Sequence, residues 1–91
     1  MNGTSIPTIL ALGALLRRLG EREESLRVLQ TALLYQHSIH EPVIKVELFC
    51  LLGHLRSEVG DPRRARDMFS RALAVDSEHA ESLEALKQLP A

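Results

Sequence analysis

The 91-residue chain is poor in aromatic residues and in cysteine. It contains no tryptophan, one tyrosine and two phenylalanines, which together are 3% of its residues. The core must therefore be built from leucine, alanine, valine and isoleucine, which favours helices, because β-sheets draw on aromatic and β-branched side chains. The single cysteine, Cys50, cannot form an internal disulfide. Nothing in the sequence requires an oxidising compartment, so a reducing, cytoplasmic location is expected.

Long apolar runs and an excess of one charge are also missing. The formal net charge is −1, and acidic and basic residues are mixed along the chain, so no broad field attracts nucleic acid or anionic lipid. The apolar run at residues 9–16 is far shorter than the roughly 20 residues of a membrane span. A secretory signal would place positive charge before its apolar run, and this run has none before it, so a signal peptide is not expected. The length fits a single domain, and 45% hydrophobic residues can supply its core.

Two pairs of glycines indicate an internal repeat. Gly13 and Gly20 in LALGALLRRLGE are matched 40 residues later by Gly53 and Gly60 in FCLLGHLRSEVGD. In both copies the first glycine lies among leucines, the second follows seven residues later, and an amphipathic segment comes next. The pattern predicts a helix, a turn and a second helix, twice.

Prolines, glycines and capping side chains predict where five helices begin and end. Proline is tolerated in a first turn, serine, threonine or aspartate caps it, and glycine follows a last turn. The helices are predicted to begin near Pro7 (capped by Thr4 or Ser5), Arg22, Pro42, Pro62 (capped by Asp61) and Ser77. They are predicted to end, in the clearest cases, at Gly20, Val59 and Pro90.

Apolar residues at helical spacing predict the buried faces. On the third helix these are Val43, Val46, Phe49, Leu52, Leu55 and Val59, widened by Ile44, Leu48 and Leu51. On the fourth they are Ala65, Met68, Phe69, Ala72 and Leu73, and on the fifth Leu83, Leu86 and Leu89. Exposed i,i+4 charge pairs are predicted between Glu23 and Arg27 and along Arg63, Asp67 and Arg71.

The second copy is similar to the tetratricopeptide repeat. The six matching positions are Phe49, Leu52, Gly53, Ala65, Phe69 and Ala72. The first copy matches less well, through Ile9, Leu12, Gly13, Gly20, Leu29 and Ala32, and it has Ser25 where the family has alanine. The resemblance covers about residues 6–89, and the alternative is a generic antiparallel helical bundle.

The resemblance implies an all-α fold: a right-handed stack of two antiparallel helical hairpins with a fifth, capping helix. The repeats are expected at about residues 6–41 and 42–78, and the cap at about 79–89. Gly53, Ala65 and Ala72 are expected where helices cross closely, with Phe49 and Phe69 filling gaps between hairpins. Six residues are inserted relative to the family period, mostly between Ala32 and Pro42. Either the second helix is longer, which we favour, or the segment LLYQHSIHE bulges as a loop.

The resemblance also implies a function as a protein-binding scaffold or adaptor, without catalysis or cofactor, that holds a peptide or a partner helix in a concave groove. The groove wall implied position by position is mixed in character, with one basic end. It comprises Leu10, Ala14, Arg17, Glu47, Cys50, His54, Ser57, Glu81, Glu84 and Gln88. The subgroup that grips chaperone C-terminal carboxylates needs lysine, arginine and asparagine where this chain has Leu10, Ala14, Leu51 and Ala85. A carboxylate clamp is therefore not expected.

Several other functions are weaker alternatives. The chain could form a homodimer through Ile6, Ile9, Leu10 and the edge of the third helix, or be a capping fragment of a larger repeat protein. The histidines of HSIHE (His37 and His40, with Glu41) lack the four ligands of structural zinc, so no metal site is expected. The arginines Arg63, Arg64, Arg66 and Arg71 are interspersed with acids and lack stacking aromatics, so nucleic acid is a distant alternative. Cys50 is either a free thiol on the groove wall or a small apolar filler, and the filler is the commoner role.

Overall fold

The computed structural model describes residues 5–90, and this part of the chain forms five α-helices and one short 3₁₀ helix, without strands. The α-helices are α1 (Ile6–Arg18), α2 (Arg22–Leu34), α3 (Pro42–Glu58), α4 (Pro62–Val75) and α5 (Ala80–Gln88), and the 3₁₀ helix is Gln36–Ser38. The predicted all-α class is confirmed.

The capping residues and glycines predicted for α1, α3 and α4 are confirmed. The Ser5 hydroxyl accepts a hydrogen bond from the Thr8 backbone N–H at 3.2 Å, whereas the alternative cap, Thr4, lies outside the described residues. Gly20 and Gly60 have φ of 82° and 84°, a left-handed conformation that favours glycine and ends α1 and α3. Asp61 caps α4 by accepting from the Arg64 N–H at 3.2 Å.

Small residues let the two helices of each hairpin approach closely. In the first hairpin, α1 with α2, a Cβ added to Gly13 would lie 2.6 Å from the Leu29 side chain. In the second, α3 with α4, a Cβ on Gly53 would lie 2.7 Å from the Phe69 ring. Ala65 and Ala72 of α4 are completely buried. The predicted close crossing at these small residues is confirmed, and α3 joins the hairpins by packing on both α1 and α2.

A hydrogen bond explains why Ser25 can occupy a position of the first repeat where the family resemblance implies alanine. The residue is completely buried, and its hydroxyl donates a 2.6 Å hydrogen bond to the Gly13 carbonyl. A buried hydroxyl without a partner would be costly. The bond therefore turns a polar intrusion into a link between α1 and α2.

The favoured interpretation of the insertion, a longer second helix, is wrong. Helix α2 ends at Leu34, and the 3₁₀ helix and an extended Ile39 lead to Pro42. Ile39 is only 8% exposed and belongs to the main core with Leu26, Leu29 and Leu48. Burial of this side chain stabilises the turn. The residue before Pro42 is also disfavoured in an α-helix, so the chain leaves the helical conformation before that proline.

Three apolar residues predicted to be buried are exposed. Val43 and Val59, at the two ends of α3, are 78% and 41% exposed, and Leu83 of α5 is 42% exposed. On α5 the buried residue is Ser82, while Leu86 and Leu89 are partly buried, so the packed face is rotated from the predicted one. The fifth helix also begins at Ala80 and not at Ser77.

Other pairings differ in detail. Arg27 pairs with Glu24 at 2.8 Å and not with Glu23, whereas Arg71 pairs with Asp67 at 3.3 Å as predicted. Phe69 does not fill a gap between hairpins: it packs inside the second hairpin and against α5. Within residues 5–90, no helix is both long enough and apolar enough to cross a membrane.

Candidate functional site

A groove of about 790 Å³ runs along α1 and α3 and is bounded on its far side by the segment from the end of α4 to the start of α5. Leu10 and Cys50 lie at its floor, since they are only 4% and 5% exposed. Ala11 and Ala14 of α1 also line it, and their small side chains leave room above the floor. The remaining lining residues are Pro7, Arg17, Pro42, Val43, Val46, Glu47, Leu51, His54, Val75, Asp76, His79 and Glu81.

The two ends of the groove differ in chemistry. The end formed by the starts of α1 and α3 carries Pro7, Pro42 and the exposed Val43. The opposite end carries Arg17 and His54 near the ends of the same helices. A ligand lying along the groove would therefore meet an apolar end and a polar end.

Arg17 at the polar end is held by an ion pair between the two hairpins. Its guanidinium donates to both carboxylate oxygens of Glu58, with Nη2 to Oε2 at 2.5 Å and Nε to Oε1 at 3.2 Å. Arg22 also donates to Glu58, at 3.2 Å. The hydrogen bond from Arg17 holds the pKa of the Glu58 carboxyl below its ordinary value, and Glu58 raises the pKa of Arg17. The predicted basic end is thus largely neutralised.

Three different side chains from α3 and α5 meet in the groove: Cys50, His54 and Glu81. Their Sγ, ring nitrogen and carboxylate oxygen all lie within 4.8 Å of one another. His54 Nε2 donates to Glu81 Oε2 at 2.6 Å, and this bond lowers the pKa of the Glu81 carboxyl. The His54 ring also packs edge-on against Phe69, with centroids 5.1 Å apart.

The Cys50 thiol is protonated at neutral pH in this arrangement. Burial raises its pKa to about 11, although the neighbouring Ser82 hydroxyl acts in the opposite direction. Ser82 is itself completely buried, and its hydroxyl lies 2.8 Å from His79 Nδ1. A chain of polar side chains therefore continues from the cysteine to the start of α5.

The structure brings most of the predicted wall residues together. Seven of the ten line the groove: Leu10, Ala14, Arg17, Glu47, Cys50, His54 and Glu81. Ser57, Glu84 and Gln88 do not line it and are exposed, and Gln88 donates to Glu84 at 3.2 Å along α5. A binding role for any of the ten stays a prediction.

Sequence reasoning missed several lining residues. Ala11 lies one turn after Pro7 on the same face of α1, so helical spacing could have found it. Val75 is the last residue of α4, and Asp76 and His79 lie between α4 and α5. Their position depends on how α5 folds back onto α3, which no local pattern specifies.

The other candidate sites considered from the sequence do not gain support. His37 and His40 are exposed, and the one group of three potential metal ligands in the described chain is that of Cys50, His54 and Glu81. On α4, Arg64 pairs with Asp61 at 3.6 Å, and Arg66 donates to the Pro90 carbonyl. These arginines serve contacts within the chain.

Two stacked antiparallel hairpins with a groove along their first helices define a helical-repeat protein. The chain belongs to the tetratricopeptide repeat family, whose family model matches residues 5–78. No curated protein and no solved structure matches it significantly. Proteins of this family generally mediate protein–protein interactions.

Proposed function

We propose that the chain is a non-catalytic scaffold or adaptor module that binds an extended peptide or a partner helix in the groove along α1 and α3. The observation that carries the proposal is the groove itself, about 790 Å³ in volume and open along two first helices. A concave surface with an apolar floor and a few polar groups provides both contact area and orientation for a ligand. The reducing cytoplasm stays the expected compartment for a chain whose single cysteine, Cys50, is free.

The lining residues indicate what a ligand would offer. Val43 is 78% exposed. If a ligand buries this side chain, the binding free energy becomes more favourable by up to about 1.5 kcal/mol. Glu47 and Asp76 also line the groove and carry negative charge. An apolar side chain packed on Val43, together with a basic one that meets these acids, would complement the groove, and the favoured ligand is therefore an apolar–basic peptide segment.

The proposal can be tested with two adjacent substitutions on α1. Ala11 and Leu12 are both exposed, but only Ala11 lines the groove, because neighbouring helical residues point about 100° apart. Peptides are first selected from a random library on the immobilised chain, and the best is measured by fluorescence polarisation. Ala11→Arg fills the groove and adds a charge, whereas Leu12→Arg is the matched control.

We expect Ala11→Arg to weaken binding at least about tenfold, or roughly 1.4 kcal/mol, and Leu12→Arg to leave it within about twofold. Circular dichroism should show the same helicity in both. Equal losses in both variants, or no loss in Ala11→Arg, would contradict the groove as the binding site.

A second candidate function is self-association, on a surface that differs from the one expected from the sequence. Ile9 and Leu10 are buried in the monomer, so they cannot form the predicted patch. Leu12, Leu15 and Leu19 are 44%, 42% and 66% exposed, and their i, i+3, i+7 spacing places them along one side of α1, away from the groove. Such a stripe suits a second copy or a further helical repeat.

Light scattering over a range of concentrations tests this second function. A dimer formed through the stripe would become monomeric on Leu12→Arg and would persist on Ala11→Arg. A strict monomer at all concentrations would eliminate self-association.

A further inference from the structure

The group Cys50, His54 and Glu81 joins two helices that are distant in sequence. Cys50 and His54 are separated by four residues on α3, a spacing that places both side chains on one face, one turn apart. Glu81 comes from the first turn of α5, 27 residues further along the chain. Sulfur, imidazole nitrogen and carboxylate oxygen are therefore presented toward a common point from two rigid elements.

The distances fit a metal ion with small side-chain adjustments. Zinc bonds to sulfur, nitrogen and oxygen at about 2.3, 2.0–2.1 and 2.0–2.2 Å, so neighbouring ligand atoms around a tetrahedral ion lie about 3.3–3.6 Å apart. All three ligand atoms lie within 4.8 Å of one another, so no two of them have to approach by more than about 1.5 Å. His54 Nε2 and Glu81 Oε2, now 2.6 Å apart, need to separate by about 0.7 Å to become neighbouring ligands around a tetrahedral ion.

We propose that Cys50, His54 and Glu81 form a binding site for a thiophilic divalent transition-metal ion, with Zn²⁺ as its natural representative and one coordination position open to the groove. One thiolate, one imidazole and one carboxylate are ligands that zinc accepts, and three protein ligands can hold the ion while water occupies the fourth position. Binding replaces the hydrogen bond between His54 and Glu81 by two metal bonds. The imidazole proton then resides on Nδ1, and the thiol proton is released to solvent.

The surroundings of the site support this assignment. Phe69 packs edge-on against the His54 ring and restricts its orientation, as outer-shell groups do at metal sites. The nearby positive charge of Arg17 is compensated by Glu58. The Glu81 side chain is 63% exposed and that of His54 25% exposed, so an ion can reach the site from the groove.

A bound ion would fix the capping helix to the second repeat. Without the metal, α5 is attached to α3 and α4 by the cluster of Phe69 with Ala85, Leu86 and Leu89 and by the bond between His54 and Glu81. Coordination adds a cross-link between α3 and α5 at the groove wall. The metal site does not require that the groove binds a peptide. We expect a bound ion to make the groove wall formed by α3 and α5 more rigid.

The test uses the reduced, tag-free full chain titrated with Co²⁺, which reports its ligands spectroscopically, followed by competition with Zn²⁺. We expect one ion per chain, a thiolate-to-cobalt charge-transfer band and intense visible bands of tetrahedral cobalt. Glu81→Gln and His54→Gln should each weaken binding at least about tenfold, and Cys50→Ser should abolish the charge-transfer band. The double variant His37→Gln/His40→Gln is the matched control and should bind like the parent chain.

Because Cys50 is buried and its substitution can disturb packing, Glu81→Gln at the exposed ligand decides the matter if Cys50→Ser fails to fold. Zn²⁺ should also raise the melting temperature of the parent chain but not of Glu81→Gln. Absence of the charge-transfer band in the parent, parent-like affinity in Glu81→Gln, or loss of binding in the His37/His40 variant would each overturn the proposal.

Discussion

The contact between Gly53 and Phe69 gives the sharpest stability prediction. A Cβ at residue 53 would lie 2.7–2.8 Å from three carbons of the Phe69 ring, closer than the 3.0 Å that real Cβ contacts respect. Phe69 is only 1% exposed and is enclosed by Ala65, Ala85 and Leu86, so the ring cannot move away freely. Overpacking of this kind costs about 1–3 kcal/mol, whereas alanine in place of glycine within a helix gains about 1 kcal/mol.

Gly53→Ala should therefore lower the free energy of unfolding by up to about 2 kcal/mol, although the same change at an open helical site would raise it. In a Phe69→Ala background the side chain that meets this Cβ is gone, and Gly53→Ala should stabilise by about 0.5–1 kcal/mol. Urea unfolding followed by circular dichroism measures all four members of the cycle. If Gly53→Ala stabilises the parent chain as much as the Phe69→Ala chain, the close crossing of α3 and α4 is refuted.

Three further predictions concern packing, charge and the first hairpin. Ala72→Val should destabilise the fold by about 1–3 kcal/mol, because residue 72 is completely buried, whereas Ala74→Val at an exposed position of α4 should cost about 0.5 kcal/mol. Thermal unfolding compares the two variants, and equal losses of stability would contradict the packing of α4. Because the pKa of Glu58 is lowered, its ion pair stabilises the fold above the ordinary pKa of 4.5, and this contribution is lost as pH falls through the lowered value. By urea unfolding, the parent chain should be more stable than Glu58→Gln by about 0.5–1 kcal/mol at neutral pH and no more stable in acid. A difference that does not depend on pH would refute the ion pair. Ser25→Ala removes the hydroxyl that donates to the Gly13 carbonyl. Because alanine fits the same space, the free energy of unfolding measured in urea should fall by no more than about 1.5 kcal/mol. A fall of more than about 3 kcal/mol would show that the serine has a further role.

Much of the fold was predictable because its determinants are local. Gly20 and Gly60 end α1 and α3 through their own left-handed conformation, and Asp61 caps α4 with its own side chain. Gly53 and Ala72 mark helix crossings because only small residues fit there. These signals need no knowledge of the rest of the chain.

The features that could not be predicted depend on contacts between distant segments. Ile39 converts the predicted helix extension into a turn because it reaches a core contributed by three helices. Arg17 has its partner, Glu58, 41 residues away, so the sequence showed a basic groove end where the structure has an ion pair. Glu81 meets His54 only because α5 folds back onto α3, and helical spacing within α3 alone could not indicate a third ligand.

The groove as the binding site is tested most directly by methyl NMR of the labelled chain with a bound peptide from the library. The methyl signals of Ala11, Ala14 and Val43, which line the groove, should shift on binding. Those of Leu12 and Leu34, which are exposed elsewhere, should keep their positions. Shifts confined to Leu12 and Leu34, with the three groove methyls unchanged, would contradict binding in the groove.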